Sequence, residues 1–506
     1  MSEKPTGWLS QQEIESVVPA ETVAFRSPVP TQIVSNGEYN PLPQTENQRR
    51  VEGLIKSLGQ HYAKRQGLSR RAFLQSASGM AAAFLAMNQV FGPVWEVSEA
   101  EAADRDMAEE RARRLAGQFI LDAQTHFVRD DFTRDRMLNL GRYAAEHWNP
   151  AMKSTPMTLA RYKFQNYLKE IFLDSDTKLV VLTSAPYDNI DYYHLFNDQI
   201  RDARAAINAV AGTRRMFAHS VFTPNRPGWL DDVDRAIEEF RPDSWKGYTV
   251  GDPSQPTQLG LAWRLDDEKL IYPFYEKAVK AGITKICIHK GLLPRDYENS
   301  WAGIWRHATV EDLPKAAKDW PQLTFIIYHS ALRPLLETPE LELAEFERSG
   351  YIRWATDLAR IPDQHGVSNV YAEIGASFAN SAVANPRFCA ALIGQLVNEM
   401  GEDHVVWGTD SVWWGSPQWQ IEAMRRLEIP DDMMRKMGWR KKLGGPDSEI
   451  KRKIFGLNSA RLYGYEVEAT YRQLTHDALA LMKQRYQQAG AARSNRAYGF
   501  VAKPVG

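Results

Sequence analysis

The sequence predicts an α/β protein built around a closed (β/α)8 TIM barrel. Between about residue 119 and residue 410, short apolar runs alternate with longer helical patterns, and eight such runs can be counted. The runs are continuously apolar, which is typical of parallel strands that helices cover on both faces. These observations favour a closed barrel over a doubly wound open sheet, which is the alternative. No glycine-rich nucleotide-binding motif follows the first run, and this weakens the alternative.

The expected elements follow from the apolar runs and the helical periodicity. We expect strands at residues 119–127, 178–184, 215–222, 247–250, 283–289, 323–329, 370–375 and 405–410. Helical patterns fill the intervals, at residues 192–211, 229–240, 267–281, 310–319, 341–359 and 386–400. Asn385 is a suitable cap for the last of these helices, and Ser416-Pro417 starts a further helix after the eighth strand.

The N-terminal part of the chain is expected to lie outside the barrel. Residues 1 to about 68 lack sustained periodicity and contain several prolines, which indicates an extended or disordered arm. Arg70-Arg71, an alanine-rich apolar segment and the small residues Ala100-Glu-Ala102-Ala103 follow. Together they resemble a twin-arginine export signal, which implies a periplasmic protein. The alternative is an amphipathic surface helix in a cytoplasmic protein.

Three regions are therefore predicted. A leader covers residues 1–103, the barrel covers residues 104–465, and a C-terminal helix and tail cover residues 466–506. The barrel has long insertions after the first and fourth strands, and the tail contains one amphipathic helix at residues 470–488.

Composition restricts the classes of partner. The chain of 506 residues has a formal net charge of -1 and 43% hydrophobic residues, which indicates a globular protein without an electrostatic case for nucleic-acid binding. Its cysteines, Cys287 and Cys389, cannot form a disulfide framework. The apolar segment after Arg71 is too short and interrupted for a membrane span. The expected partner is a small-molecule substrate, and a homo-oligomer is left open.

Polar side chains stand at the ends of four predicted strands. Gln124 and His126 end the first strand, His289 the fifth, His329 the sixth and Asp410 the eighth. In a closed barrel the carboxyl ends of all strands meet at one mouth, where barrel enzymes carry their chemistry. The two-residue period of a strand places Gln124 and His126 on the same inward face. Imidazoles and a carboxylate that converge on an open cavity suit a catalytic divalent metal.

At this point the chain resembles the amidohydrolase superfamily, in the amidohydrolase-related (amidohydrolase 2) branch. The resemblance covers residues 119 to 465. The matching motifs are Asp122-x-Gln124-x-His126 in the first strand, Ile288-His289 in the fifth, Tyr328-His329 in the sixth, Trp407-Gly-Thr-Asp410 in the eighth, and Leu457-Asn458-Ser-Ala-Arg-Leu-Tyr463-Gly after the barrel. Five motifs in order at barrel spacing are more specific than any one of them.

The resemblance implies a metal-dependent hydrolase with one divalent ion. His126 and His289 would bind the metal, Asp410 would bind it and serve as the base, and His329 would contact the metal or polarise the substrate. The expected metal is zinc, with manganese as the alternative.

Gln124 is where the chain departs from the family pattern, which has D-x-H-x-H in the first strand. A neutral amide oxygen is a poorer ligand than imidazole for zinc or manganese. Three interpretations follow: Gln124 is a weak ligand or supports the ligands, the site is retuned to another metal, or the barrel only binds.

Other residues near the expected mouth have two interpretations each. Glu373 either orients an imidazole or is a salt-bridged barrel carboxylate. Trp413, Trp414 and Trp419 follow Asp410 and would either line a pocket for a planar substrate or pack the loop onto the barrel, and we favour packing for at least two of them. Lys290 is expected to pack structurally, and Cys287 to fill the barrel beneath the metal.

The favoured function is hydrolysis of an amide, ester or lactone-like bond in a small organic molecule. The first alternative is non-oxidative decarboxylation of an aromatic or unsaturated acid, which requires a cationic clamp for the substrate carboxylate. Arg264 or Arg129 near the mouth would support it. The second alternative is a binding barrel without catalysis.

Overall fold

The computed structural model describes residues 17–19, 27–32, 42–132, 162–185, 190–251, 261–293, 297–300, 302–333, 338–491 and 500–502. Eight parallel strands form one sheet in chain order, from first to last. They are β1 (Leu121–Thr125), β2 (Leu179–Leu182), β3 (Met216–Val221), β4 (Ser244–Tyr248), β5 (Lys285–His289), β6 (Thr324–Tyr328), β7 (Val370–Glu373) and β8 (Val405–Val406).

The sheet closes on itself, because the chain after β8 pairs with β1. The backbone N–H of Ala123 donates to Trp407 O at 2.9 Å, and that of Asp410 donates to Gln124 O at 3.0 Å. Thr125 and Ser411 form a parallel bridge. These contacts confirm the closed (β/α)8 TIM barrel and rule out the open sheet.

The strand predictions are confirmed in number and order, with one shift. β4 covers residues 244–248, whereas the sequence prediction began at Gly247. The shift arises because β4 carries Lys246 and Ser244 into the barrel, so its inward face is not apolar. The barrel interior is otherwise filled by large apolar side chains from most strands: Leu121, Leu179, Val181, Phe217, Cys287, Ile326, Tyr328, Tyr371 and Val406.

Helices surround the barrel and continue past it. They are α6 (Phe164–Leu168), α7 (Asn197–Ala211), α8 (Trp229–Arg235), α9 (Tyr272–Lys280), α10 (Tyr297–Ser300), α11 (Leu313–Asp319), α12 (Pro339–Ser349), α13 (Ala355–His365), α14 (Ser377–Ala384), α15 (Pro386–Gln395), α16 (Gln418–Arg426), α17 (Asp431–Met437), α18 (Glu449–Arg452), α19 (Asn458–Tyr463), α20 (Val467–Leu474) and α21 (Ala478–Gln488).

The caps explain where several helices begin and end. Asn385 caps α15 as predicted, since its side chain accepts from Arg387 N at 3.0 Å. Two predicted helices are each divided in two. The helix predicted at residues 341–359 is divided at Gly350, whose left-handed conformation (φ 69°) ends α12. The tail helix divides before Asp477, whose side chain caps α21.

An N-terminal layer of five helices precedes the barrel: α1 (Glu46–Arg65), α2 (Arg70–Leu74), α3 (Ala77–Phe91), α4 (Glu99–Ala103) and α5 (Arg105–Ala116). The prediction of an extended arm up to about residue 68 is wrong for α1. Thr45 and Gln48 form a reciprocal capping box at its start. Val51, Ile55 and Tyr62 form its buried stripe.

The segment that resembles an export signal is folded into this layer. Arg70 and Arg71 are exposed, whereas Ala81 and Ala82 of α3 are fully buried. The layer shares one continuous apolar core with the outer helices of the barrel. Among the described helices none is both long and apolar enough to cross a membrane. A short antiparallel pair also joins Val17–Pro19 to Phe500–Ala502.

Candidate active site

The carboxyl ends of β1, β5, β6 and β8 bring the five predicted residues to one end of the barrel. Gln124, His126, His289, His329 and Asp410 are all buried there. The structure divides them into two hydrogen-bonded groups, one at β1 and β8 and one at β5 and β6.

The first group centres on the carboxylate of Asp410. Asp410 Oδ1 lies 3.0 Å from His126 Nε2 and accepts a hydrogen bond from Gln124 Nε2 at 2.9 Å. Gln124 Nε2 also lies 3.4 Å from His126 Nε2. Gln124 therefore holds the carboxylate beside His126, which fits the interpretation that it supports the ligands.

The second group is a chain of two imidazoles. His329 Nδ1 lies 2.8 Å from Gly375 O, and His329 Nε2 lies 3.0 Å from His289 Nδ1. Because a carbonyl oxygen only accepts, His329 carries its proton on Nδ1, and its Nε2 accepts from the Nδ1–H of neutral His289. His289 Nε2 is then left with a free lone pair, and among the described residues it has no partner.

Local backbone geometry aims these groups at the mouth. His329 and Asp410 both have positive φ, 61° and 57°, as do Ser330 and Ala331 at 51°. This conformation strains residues other than glycine, and such strain is concentrated at functional sites. Both candidate side chains thus leave their strands at sharp turns of the backbone.

A register shift in β1 brings Gln124 into the mouth. Asp122 pairs with Val180 and Thr125 pairs with Leu182. β1 therefore advances by three residues over the stretch in which β2 advances by two. Leu121, before the shift, packs in the barrel interior. Thr125, after the shift, lies on the outer side, where its Oγ1 is 2.9 Å from the hydroxyl oxygen of Tyr167. Gln124 and His126 lie on the same inward face, as the two-residue period predicts, and the register shift between Asp122 and Thr125 brings that face into the mouth.

Glu373 at the end of β7 holds the backbone of its neighbours. It accepts from His329 N at 3.1 Å and from Gly375 N at 2.6 Å, so it orients the backbone that carries the imidazole rather than the ring. Burial raises the pKa of Glu373 to about 8, although these two N–H groups oppose the shift. Gly408 leaves room for it, since a Cβ there would lie 1.7 Å from Glu373 Oε1.

Asp122 performs a similar task for β8. Its carboxylate accepts from Thr409 N at 3.0 Å, from Thr409 Oγ1 at 2.5 Å and from Gln124 N at 3.2 Å. Burial raises the pKa of Asp122 to about 7, with these donors opposing the shift. The aspartate of the D-x-Q-x-H motif, Asp122, therefore joins β1 to the Thr409-Asp410 turn.

Sequence reasoning missed Lys246, which lies fully buried on β4. Its ammonium lies 3.5 Å from the centroid of the Tyr328 ring, a cation–π contact. Burial, with a smaller contribution from the charge of Lys246, lowers the pKa of His329 to about 3. Burial, His329 and Lys246 lower the pKa of His289 in the same direction. Both imidazoles are therefore neutral near pH 7. If the fourth strand had been predicted to begin at Ser244 instead of Gly247, the two-residue period would have placed Lys246 in the barrel interior.

His194 and Trp413 form a second feature that sequence reasoning did not connect to the site. Trp413 stacks on His126 with ring centroids 5.5 Å apart, and His194 approaches Trp413 edge-on at 5.0 Å. Tyr162 packs on the same indole at 5.1 Å. Trp413 is thus packed between protein rings, as the packing interpretation expected.

Several further residues have structural partners. Lys290 is buried and paired with Asp312 at 2.8 Å, which confirms its packing role. Arg129 donates to Asp191 O at 2.6 Å and to Tyr193 O at 3.1 Å. Arg264 forms a two-point pair with Asp266. Both arginines are thus hydrogen-bonded to other protein groups in this arrangement.

Four side chains at this end of the barrel offer donor atoms for a divalent cation. In the described part of the chain no three His, Cys, Asp or Glu residues are arranged as a preformed metal cluster. Two buried donor atoms near the mouth nevertheless have no partner among the described residues, His289 Nε2 and Gln124 Oε1. With His126 and Asp410 they make a nitrogen and oxygen donor set that suits zinc or manganese. The donor types therefore fit the ion that the resemblance implies, although they are not preassembled around one point in the described residues.

The fold and this end of the barrel define a TIM-barrel protein with imidazoles and a carboxylate at its strand ends. The sequence profile of the amidohydrolase family matches residues 121–465. The chain belongs to that family, as its five motifs predicted.

Solved structures with a similar fold share little sequence with the chain. An uncharacterised TIM-barrel protein from Bordetella bronchiseptica is 13% identical, with a TM-score of 0.43 over 68% of this chain and 98% of that chain. A 2,6-dihydroxybenzoate decarboxylase from Rhizobium is 13% identical, with a TM-score of 0.38 over 69% and 99%. A putative 2-pyrone-4,6-dicarboxylic acid hydrolase from Pseudomonas putida is 12% identical, with a TM-score of 0.35 over 69% and 98%. No curated protein matches the sequence.

Proposed function

We propose that the protein is a metal-dependent hydrolase of a small organic molecule with an amide, ester or lactone-like bond. The observation that carries the proposal is the position of Asp410. Its Oδ1 lies 3.0 Å from His126 Nε2, at a barrel end where His289 Nε2 and Gln124 Oε1 are unpartnered. A carboxylate beside metal-binding groups is the base that such hydrolysis requires.

His126, His289 and Asp410 would hold the ion, with Gln124 as a weak fourth ligand or as a support for Asp410. A divalent cation supplies Lewis acidity, which polarises a carbonyl and lowers the pKa of water. Zinc is the proposed ion, with manganese as the alternative.

The protein's own residues handle the proton. Asp410 takes the proton of the attacking water on its carboxylate and returns it to the leaving group. Gln124 fixes the carboxylate through the 2.9 Å hydrogen bond. His329 orients His289 and keeps its Nδ1 protonated. Because His329 Nε2 is occupied by His289, its predicted contact with metal or substrate requires the two imidazoles to separate.

The alternative reaction is decarboxylation, for which Arg129 and Arg264 are the expected carboxylate clamps. Arg129 and Arg264 are both engaged with other protein groups in the structure. Two assays distinguish hydrolysis from decarboxylation. One measures hydrolysis of a panel of esters, amides and lactones, and the other measures release of CO2 from a panel of aromatic acids. We expect hydrolysis without CO2 release, and CO2 release alone would replace this proposal by the lyase reaction.

The metal and the base are tested together. Elemental analysis after zinc loading should find about one equivalent of metal. Asp410→Asn should lower kcat by about a hundredfold or more while the fold is retained. Asp363→Asn, on an exposed position of α13, is the matched control and should keep full activity. Full activity of Asp410→Asn would refute the mechanism, and activity without metal would refute the class.

Export through Arg70-Arg71 also remains a proposal. Both arginines are exposed on α2, where a receptor could contact them. Changing both to lysine should retain the protein in the cytoplasm, as fractionation would measure. Unchanged localisation would favour the cytoplasmic alternative.

A further inference from the structure

A cavity lies between the N-terminal layer and the loop after β8, apart from the barrel mouth. Its volume is about 110 Å³. Its walls come from residues 27–30, from α2 to α5, from Trp414 and from α16. None of the five candidate catalytic or metal-binding residues lines it. The proposed hydrolase function leaves this cavity without a role.

Four of the five charged side chains at the cavity form two crossed pairs, and the fifth, Asp174, is paired with Lys169. Arg111 of α5 donates to Glu422 of α16 at 2.8 Å. In the opposite sense, Glu101 of α4 accepts from Arg426 of α16, with Arg426 Nη1 at 3.0 Å. Each pair joins the N-terminal layer to the barrel. Because the two arginines meet two glutamates and Asp174 has Lys169 as its own partner, the charges are balanced before any ligand binds.

Three N–H groups of the lining have no hydrogen-bond partner among the described residues: Arg111 Nη2, Arg426 Nε and Trp414 Nε1. Arg426 Nε lies 3.5 Å from Glu422 Oε2 but without hydrogen-bonding geometry. Trp414 and Arg426 are only 4% and 2% exposed, so bulk solvent does not reach them freely. Buried hydrogen-bond donors are normally paired. At this cavity the unpaired polar atoms are all donors, so a ligand that binds them must supply acceptors.

The remaining wall is largely apolar. Leu74 of α2, Met80 of α3 and Trp419 of α16 line it. Trp419 contributes its ring, because its own Nε1 donates to Trp414 O at 3.4 Å. A ligand therefore requires acceptor oxygens at one end and an apolar body at the other.

We propose that this cavity is a second ligand site that binds a short-chain carboxylate. The carboxylate oxygens accept from Trp414 Nε1 and from the guanidinium groups of Arg111 and Arg426. The chain packs against Leu74, Met80 and Trp419. An apolar cavity of about 150 Å³ accommodates benzene, so the smaller volume restricts the ligand to about four carbons.

Butyrate is the probe, and binding to the full-length protein is measured by ligand-observed NMR. We expect one site with a Kd of about 1 mM, as befits so few ligand atoms. Butyramide has the same shape without the charge and should bind at least about tenfold more weakly. Equal binding of the two would overturn the carboxylate assignment, and no butyrate binding would overturn the site.

Two variants locate the binding. Trp414→Phe keeps the ring but removes the donor, and should weaken butyrate at least about fivefold. Trp320→Phe is the matched control and should bind butyrate as before, because its indole N–H also has no partner among the described residues but lies outside the cavity lining. Ala77→Leu places methyl groups in the cavity without removing any donor and should abolish binding.

A carboxylate could also bind a metal at the barrel mouth, and Asp410→Asn separates the two sites. Butyrate binding that survives Asp410→Asn and is lost in Ala77→Leu supports the cavity. Binding that is lost in Asp410→Asn and unchanged in Trp414→Phe and Ala77→Leu refutes it. Thermal unfolding of each variant checks that the fold is intact.

Discussion

In the proposed metal site, Gln124 determines how strongly the ion is held. Its Nε2 is committed to Asp410 at 2.9 Å, and its Oε1 is the only part of the amide left for an ion. An amide oxygen binds zinc more weakly than an imidazole nitrogen does. In the proposed site, Gln124 therefore lowers the metal affinity and fixes the orientation of Asp410, the proposed base.

Gln124→His should tighten zinc binding by roughly tenfold, because an imidazole replaces a neutral oxygen beside His126. The measurement is a competition titration against a chelator of known affinity. Gln124→Leu is the comparison, since it removes both amide atoms and should weaken binding. Equal affinity in all three proteins would mean that position 124 does not contribute to the metal site.

Gly408 is required because Glu373 occupies the space where its side chain would be. A Cβ at position 408 would lie 1.7 Å from Glu373 Oε1. Gly408→Ala should displace the carboxylate, release His329 N and lower the free energy of unfolding by about 2 kcal/mol. Chemical denaturation measures this. Gly445→Ala, with no atom within 4 Å of its Cβ, should leave stability unchanged.

Strand-end residues could be predicted from the sequence, but their pairing could not. His126, His289, His329 and Asp410 each follow an apolar run, so their convergence follows from the barrel alone. The His289–His329 contact depends on a left-handed backbone at His329, which no periodicity indicates. Gln124 enters the mouth through a bulge that the pattern of residues does not mark.

At the scale of elements, α16 is the helix that attaches the N-terminal layer. Arg425 is fully buried and donates to Gln118 Oε1 at 3.0 Å and to Asp176 Oδ2 at 2.8 Å. Glu422 accepts from Arg425 and Arg111, each at 2.8 Å. Desolvation opposes the charge of Glu422, but Arg425, Arg426 and Arg111 outweigh it and lower its pKa to about 2.

This lowered pKa predicts an acid-sensitive contact. The folded pKa lies below the ordinary 4.5, so ionised Glu422 stabilises the protein above that value and loses its effect as pH falls toward about 2. Glu422→Gln should destabilise the protein by about 3 kcal/mol at pH 7, because buried arginines lose their partner. It should also flatten the fall in stability below about pH 5. Denaturant unfolding at several pH values measures both effects.

Glu345→Gln is the control for that series. Glu345 pairs with Arg348 on the surface of α12, where solvent screens the interaction. Its stability profile should match that of the unmodified protein. A Glu422→Gln profile that also matches would show that the crossed pairs do not hold the layer.

Helices and strands with long apolar runs could be predicted from the sequence. Elements that are buried only by contacts with distant parts of the chain could not. All eight barrel strands were recognised, whereas β4 was displaced because Lys246 lies on its inward face. α1 was missed although Val51, Ile55 and Tyr62 have helical spacing, because the stripe is narrow and most of the helix is polar. The layer that buries this stripe is built by residues far along the chain.

At the scale of the whole molecule, the N-terminal layer is packed and hydrogen-bonded against the barrel. Trp95 pairs with Leu427, and Arg426 lies over the ring of Phe84 at 5.3 Å. Gln48 Nε2 donates to Val383 O at 3.2 Å. The predicted cleavage region is also held, since Gln66 Nε2 donates to Ala102 O and Ala103 O at 3.1 and 3.2 Å. A peptidase would need this region to open first.

Cutting the chain therefore distinguishes a leader from a structural layer. A protease site inserted between Ala103 and Asp104 keeps the Asp104 cap of α5 and severs the predicted leader. Because burial of apolar surface stabilises the contact by about 25 cal/mol per Å², the two fragments should remain associated after cleavage and elute together from a sizing column. A chain that lacks residues 1–103 from the start should be poorly soluble, since the faces that α1, α3 and α4 cover would be exposed. Release of the N-terminal fragment from a barrel that stays folded would instead identify these residues as a removable export signal.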